Sequence, residues 1–575
     1  MGNKLVSLLS TPDQWLRTVL TTMLFYVLTF LVFGCYYEVY EAFLEASYSG
    51  KLSPGYPFRS LYFLADIGIS YFYAALYSIT NKVEWHTWFL SFYTLLSAVL
   101  TLKTAADILK DKISGWMLFF IQMGIFWLVL AEHITHFNYT RPATMLAASS
   151  LLALTYYFPD AGSIAKNKGK FVALNLLFLL SALTRIETAL AVTALSFCYA
   201  VFFENGFLHG LRLFLFPFIV MFSLVAGVYV DIANSPELYK QIEPDLEYQM
   251  SARGITMPPG THTYADTVKF RAAEERLWSD PKIITVDYLR SLVVTSNKLP
   301  LVDATQWCEA AKCVFSVAAN NYPLVLFSLT ILLLAFFSGS DKKKIIGFTA
   351  FQCCYWVIVF IQSYSVRIND RVFSIFLSAY ILFNIIGFLV ITRGRPVKQV
   401  HYFFMLILLT AAFHWKSMSK NLRFLADDRA NSIANLNEIR KVAGGKVLVV
   451  NASSFRGILS TRTPLLPIDV SGFKKFYMNE NQAVALMHPF REYLENECQC
   501  DVTNFSNFYR YLQSLDEDVF ILSTEHRLML TQEYLKYFHD FNLQFEEVES
   551  IDLREVTDHD VGNRVTLKLY RLRKD

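Results

Sequence analysis

Residues 18–37 read TVLTTMLFYVLTFLVFGCYY, and residues 36–79 read YYEVYEAFLEASYSGKLSPGYPFRSLYFLADIGISYFYAALYSI. The first stretch, about Arg17 to Tyr36, has the length a helix needs to cross a hydrocarbon core of roughly 30 Å, about 20 apolar residues. Lys4 and Arg17 precede it, so the positive-inside rule puts its N-terminal side in the cytoplasm. The second stretch turns acidic and aromatic at once. It offers no small-residue cleavage site, so no signal peptide is expected.

Further apolar segments lie near 86–103, 113–132, 141–158, 171–184, 187–203, 211–230, 322–338, 345–364, 371–391 and 400–415. They predict an α-helical polytopic membrane protein of about 10–12 spans. Of the 575 residues 54% are hydrophobic and 18% charged, against about 25% charged in soluble domains. That excludes a disordered chain and argues against a single soluble enzyme. Lys+Arg (52) nearly balances Asp+Glu (49), so no nucleic-acid partner is indicated. The eight cysteines make no metal signature.

Basic residues cluster at Lys103/Lys110/Lys112, Lys166/Lys168/Lys170, His209/Arg212, Lys342/Lys343/Lys344 and Arg393/Arg395/Lys398. All five belong in the cytoplasm. Only one crossing then fits between residues 37 and 103, and 86–103 supplies it. Segment 60–80 must not span, and 38–85 reads as an outer loop with two helices lying along the surface. A true span here, with the charge rule failing downstream, is the alternative. The same count puts 231–321 outside as a large polar loop with a helical patch from Ala265 to Trp278. Cys308 and Cys313, near its end, are either bridged or free. Residues 1–415 form the membrane module. From 416 to 575 charges are frequent, and the chain reads as a soluble α/β domain, also outside. Its expected strands are KVLVV (446–450), DVFILS (518–523) and the alternating 564–572, with a helix over 525–538.

Three groups of residues carry possible chemistry. Glu38, Glu41 and Glu45 fall at i, i+3 and i+7, so one helix face is acidic. A carboxylate at a water–lipid boundary can act as a base; otherwise the pattern is a solvated face. Asp66 is a further carboxylate of the same loop. Arg185 and Glu187 fall where two short helices meet within 171–203, and ionisable residues at membrane depth are functional or paired. Arg367 and Arg371, four apart at the outer end of a span, share a helix face suited to phosphate oxygens or to interface anchoring. His133 and His136 read as structural. No Walker A loop, HExxH or nucleophile motif occurs.

The order Glu41, Ser49-Gly50, Gly55-Tyr56-Pro57, Leu76-Tyr77, Trp85 resembles the first outer loop of GT-C glycosyltransferases. The similarity is closer to multi-span proteins of bacterial surface-polysaccharide clusters. Those have an acidic pair at this place; here position 40 is Tyr and only Glu41 remains. Phe137-Asn-Tyr-Thr-Arg-Pro-Ala-Thr144, LLSALTRIETAL (179–190) and Arg367-Ile-Asn-Asp-Arg-Val372 resemble the same proteins. The resemblance implies a bacterial inner-membrane enzyme that moves a sugar from a polyprenyl-phosphate donor to a hydroxyl of a lipid-linked glycan or envelope molecule on the outer face. It implies Glu41 as base with Glu38 beside it, and Arg371, Arg367 and Arg185 at the donor phosphate. Glu187 and Asp66 are secondary candidates. No metal and no cofactor beyond the lipid-linked sugar are implied. Two rival readings are a polysaccharide polymerase or ligase using a lipid-diphosphate donor, and a non-enzymatic transporter or assembly protein.

Overall fold

The computed structural model describes residues 15–37, 69–109, 112–204, 206–234, 255–257, 260, 262–275, 280, 282–293, 304–338, 341–365, 370–392, 397–451, 464–465, 470, 472–479, 488–557 and 564–574. The chain forms two compact units. One comprises Met1–Cys35, Trp88–Gly227 and Leu299–Leu422; the other comprises Tyr36–Thr87, Val228–Lys298 and Arg423–Asp575.

The first unit is helical and is that of a multi-pass membrane protein. Among the described residues, six helices are long and apolar enough to cross a bilayer: Trp15–Phe33, Trp85–Leu109, Ile186–Phe203, Phe207–Gly227, Lys342–Tyr364 and Val372–Ile391. A seventh crossing is possible where Trp307–Asn320 and Tyr322–Phe337 meet at 93°. This is fewer than the expected 10–12. The expected spans 113–132, 141–158 and 171–184 are the helices Gly115–Ile125 with a following π turn, Thr140–Tyr157 and Lys168–Thr184. These are short, or diluted by Thr and Ser. The polar loop expected to run to residue 321 instead ends in a helix, Ala304–Asn320. Cys308 and Cys313 both sit on it and are not bridged to each other. Five positions on one helix rotate side chains about 140° apart, so the bridge does not form.

Two helices are enclosed on all sides. Phe373 through Ile391 are all buried, and Thr140–Tyr157 buries Thr140 through Thr155. Its small residues Ala143, Ala147, Ser150 and Ala153 let neighbours approach closely, and Ser181 Oγ donates to Ala143 O at 2.6 Å. Gly347 serves the same end: a Cβ there would lie 2.1 Å from Phe202 O. Ser328, Gln352, Tyr380 and Asn384 are hydrogen-bonded together in the core, which leaves Gln352 Nε2 and Asn384 Oδ1 unmatched. Tyr380 donates to Gln352 Oε1 at 2.7 Å, and Ser328 donates to the Tyr380 hydroxyl at 2.8 Å.

The second unit is α/β. Its sheet runs Lys475–Asn479, Val447–Asn451, Val519–Ser523, Lys568–Leu572, Phe545–Glu547. The first three strands are parallel and the last two join antiparallel. Val447–Asn451 and Val519–Ser523 are buried throughout, as continuous apolar runs covered on both faces should be. The helix Glu525–His539 follows the second of these strands. Val268, Ala272, Ile284, Leu289 and Leu292 join the same core, so residues near 264–293 build this unit together with the C-terminal strands. Tyr264 donates to Glu533 at 2.8 Å, and Arg527 donates to Glu275 O at 3.2 Å. Ser70–Ile79 is a helix of ten residues, about 15 Å long, too short to span. Its Tyr77 hydroxyl donates to Glu84 at 3.2 Å. Residues 60–68 lie outside the described residues. The helix Val397–Ala443 is continuous through 415/416. The change in polarity therefore falls inside a helix, and the compact units divide at Leu422/Arg423.

Candidate functional site

In the first unit the helix Gly115–Ile125 runs into a π turn, Phe126–Leu130. There the Ala131 amide donates to Phe126 O at 2.9 Å, five residues back, and not to Trp127 O. The Trp415 indole N–H takes Trp127 O at 2.7 Å. Single π turns inside α-helices are frequent at functional sites, and this one delivers Glu132.

Glu132 is engaged at both carboxylate oxygens. Arg141 Nη1 donates to Oε1 at 2.8 Å and His414 Nε2 to Oε2 at 3.1 Å. The same Arg141 Nη1 lies 3.3 Å from His133 Nδ1. A guanidinium only donates, so His133 Nδ1 accepts and its proton sits on Nε2. The side chains are almost shut from solvent: 2% exposed for Arg141, 11% for Glu132 and 10% for His414. A buried ion pair hydrogen-bonded this fully holds its geometry; removal of one partner would strand a charge.

The stretch Phe137–Thr144 has a local logic. Asn138 Oδ1 accepts the Arg141 backbone N–H at 3.0 Å and so caps the helix Thr140–Tyr157. Pro142 falls in the first turn, where its missing N–H costs nothing. Arg141 then points at Glu132, and Tyr139 at Arg185. The Arg185 guanidinium lies 5.0 Å above the Tyr139 ring centroid, with Nη1 3.4 Å from the hydroxyl.

Arg185 is the break between Lys168–Thr184 and Ile186–Tyr199. Its backbone is extended, φ −151° and ψ 96°, so the two short helices meet where the sequence places them. Arg185 Nε and Glu187 Oε2 are 3.2 Å apart, an ion pair without hydrogen-bond alignment. Arg185 is 16% exposed and Glu187 40%, more than the members of the Glu132 cluster.

Glu38, Glu41, Asp66 and Arg367 lie outside the described residues. Arg371 sits in the first turn of Asp370–Ile391, and its side chain is likewise outside them. Among the described residues no three His, Cys, Asp or Glu side chains converge as a metal site.

No family model and no curated protein matches the sequence. The chain is similar in structure to ArnT from Cupriavidus metallidurans. The crystal structure of that protein bound to undecaprenyl phosphate aligns over 96% of this chain and 97% of that one, with 12% identity and a TM-score of 0.39. The apo crystal structure aligns over the same shares with 12% identity and a TM-score of 0.38.

Sequence reasoning missed Glu132, Arg141 and His414. A signal existed for the first two: Glu132, His133, His136 and Arg141 follow one another directly after an apolar run. For His414 there was none, since its partner is 282 positions away.

A second polar cluster joins Lys103, Asp107, Tyr157 and Lys170. Tyr157 donates to Asp107 at 2.6 Å, Lys103 pairs with Asp107, and the Lys170 ammonium lies over the Tyr157 ring. Lys103 and Lys170 come from the loops expected in the cytoplasm, and the cluster reads as a charge-paired anchor.

Proposed function

We propose that this chain is a membrane glycosyltransferase that moves a sugar from a polyprenyl-phosphate donor to a hydroxyl acceptor on the outer face of a bacterial inner membrane. The observation that carries the reading is Arg185: a partly exposed guanidinium at a break between two membrane helices, oriented by the Tyr139 ring. Arginine matches phosphate oxygens in bidentate geometry, and a lipid phosphate sits at the end of the apolar slab.

In the reaction a carboxylate, Glu41 with Glu38 as neighbour, takes the acceptor hydroxyl proton. The acceptor oxygen attacks the anomeric carbon. The bond from that carbon to the phosphate oxygen breaks, and the lipid phosphate leaves with the electron pair. Arg185, Arg371 and Arg367 stabilise the charge that grows on the phosphate; Glu187 and Asp66 are reserve carboxylates. The acceptor is a lipid-linked glycan or another envelope molecule, and residues 416–575 lie outside the cell.

The test is binding of undecaprenyl phosphate to the purified full chain, followed by transfer from a panel of lipid-phosphate and lipid-diphosphate sugars. Arg185→Ala is expected to weaken lipid-phosphate binding about tenfold or more, the scale of a lost charged hydrogen bond. Absence of binding and transfer for the wild type would refute the reading. Sidedness follows from Cys308, which is exposed: it is expected to label from outside in sealed cells.

A further inference from the structure

In the reading above a lipid phosphate meets Arg185, which the Tyr139 ring orients, and the buried Glu132 cluster has no task. We propose that His414 and Glu132 are positioning residues for that phosphate pair, holding the turn from Asn138 to Arg141 on which Tyr139 stands. The inference rests on the proposed function.

Arg141, at 2% exposure, and Glu132 and His414, at 11% and 10%, are too enclosed to meet a headgroup themselves. Their effect must pass through what they hold. Arg141 is held by Asn138 Oδ1 on its backbone N–H and by Glu132 Oε1 and His133 Nδ1 on its guanidinium. Tyr139 lies between the two anchor points and carries Arg185 on its ring and hydroxyl.

Glu132 is in turn held from a distant helix by His414, whose Nε2–H donates to Oε2. Removing that donor leaves a buried carboxylate oxygen without its partner, a costly state. Glu132 must then move toward another donor. Arg141 follows it, the turn loosens, and Arg185 loses its seat. The role needs only an N–H at the right reach, so a glutamine amide can replace the imidazole.

The experiment uses the full chain in nanodiscs, with undecaprenyl phosphate as the probe and intrinsic tryptophan fluorescence as the readout. His414→Ala is expected to weaken binding about tenfold and, in turnover, to raise donor KM while kcat changes little. His414→Gln should restore binding to within about twofold. Should His414→Ala not fold, His414→Asn against His414→Gln decides, because the two carry the same amide at different reach: Asn should bind weakly and Gln normally. Wild-type binding by His414→Ala, or equal binding by the Asn and Gln variants, overturns the inference. If the wild type binds, Arg185→Ala does not, and every His414 variant binds normally, the inference alone has failed. If the wild type does not bind, the functional reading has failed.

Discussion

The indole N–H of Trp415 donates to the main-chain carbonyl of Trp127 at 2.7 Å, a carbonyl that the π turn has released from the Ala131 amide. Phe33 packs on both rings, 4.3 Å from Trp415 and 5.5 Å from Trp127 between centroids. The bond thus stabilises an irregular turn that would otherwise leave an acceptor unpaired. Trp415→Phe keeps the aromatic packing and removes the donor. It is expected to cost about 0.5–1.5 kcal/mol and to speed hydrogen exchange across 126–135, which carries Glu132. Unchanged exchange there would mean the turn holds without the indole.

Glu41→Gln is nearly isosteric and removes only basicity. Turnover is expected to fall by about 10²–10⁴-fold, the scale of general-base loss, with undecaprenyl-phosphate binding kept. A dead Glu38→Gln beside an active Glu41→Gln would move the base to Glu38. Activity in both variants would remove the first loop from the chemistry.

Gly347 lies where Lys342–Ser365 meets the π turn Ala200–Glu204, and an added Cβ would lie 2.1 Å from Phe202 O. The obstacle is backbone, so it cannot rotate away. Gly347→Ala is expected to destabilise the first unit by about 1–3 kcal/mol, the usual cost of overpacking, read as a lower midpoint of thermal unfolding in detergent. An unaltered midpoint would show that the two helices can separate freely.

Asp518 in the second unit pairs with Arg571 at 2.6 Å and Lys446 at 3.1 Å. Arg571 first, and then Lys446, hold its carboxyl below the usual value. A depressed folded-state pKa contributes stability above the unfolded value of about 3.9 and loses it as pH falls through the folded one. The wild type is therefore expected to exceed Asp518→Asn in protection of the strand amides near neutrality. The gap should close below about pH 4. A gap independent of pH would assign the effect to hydrogen bonding alone.

Much of the fold was legible because hydropathy is a local record of solvent. Apolar runs such as 18–33 and 187–203 fold as helices, and VLVV and VFIL as buried strands, since each residue meets lipid or core wherever the segment lies. The break at Arg185 was legible too, because a charged pair in the middle of an apolar run cannot continue as buried helix at no cost. The span number was less so: 113–132 and 141–158 have the composition of spans, but their helices end early or are diluted by Thr and Ser.

The sequence by itself determined that the chain is a multi-pass helical protein with an α/β unit, and that Arg185 and Glu187 meet at a helix junction. Only the tertiary structure decided that His414 completes the shell of Glu132, that Asn138 turns Arg141 inward and Tyr139 toward Arg185, and that residues near 264–293 pack into the core around the C-terminal sheet. Hydropathy tells each segment which solvent it prefers but not which partner it meets. A buried polar group must be satisfied by whatever donor the packing brings within about 3 Å, and for Glu132 that donor stands 282 residues along the chain.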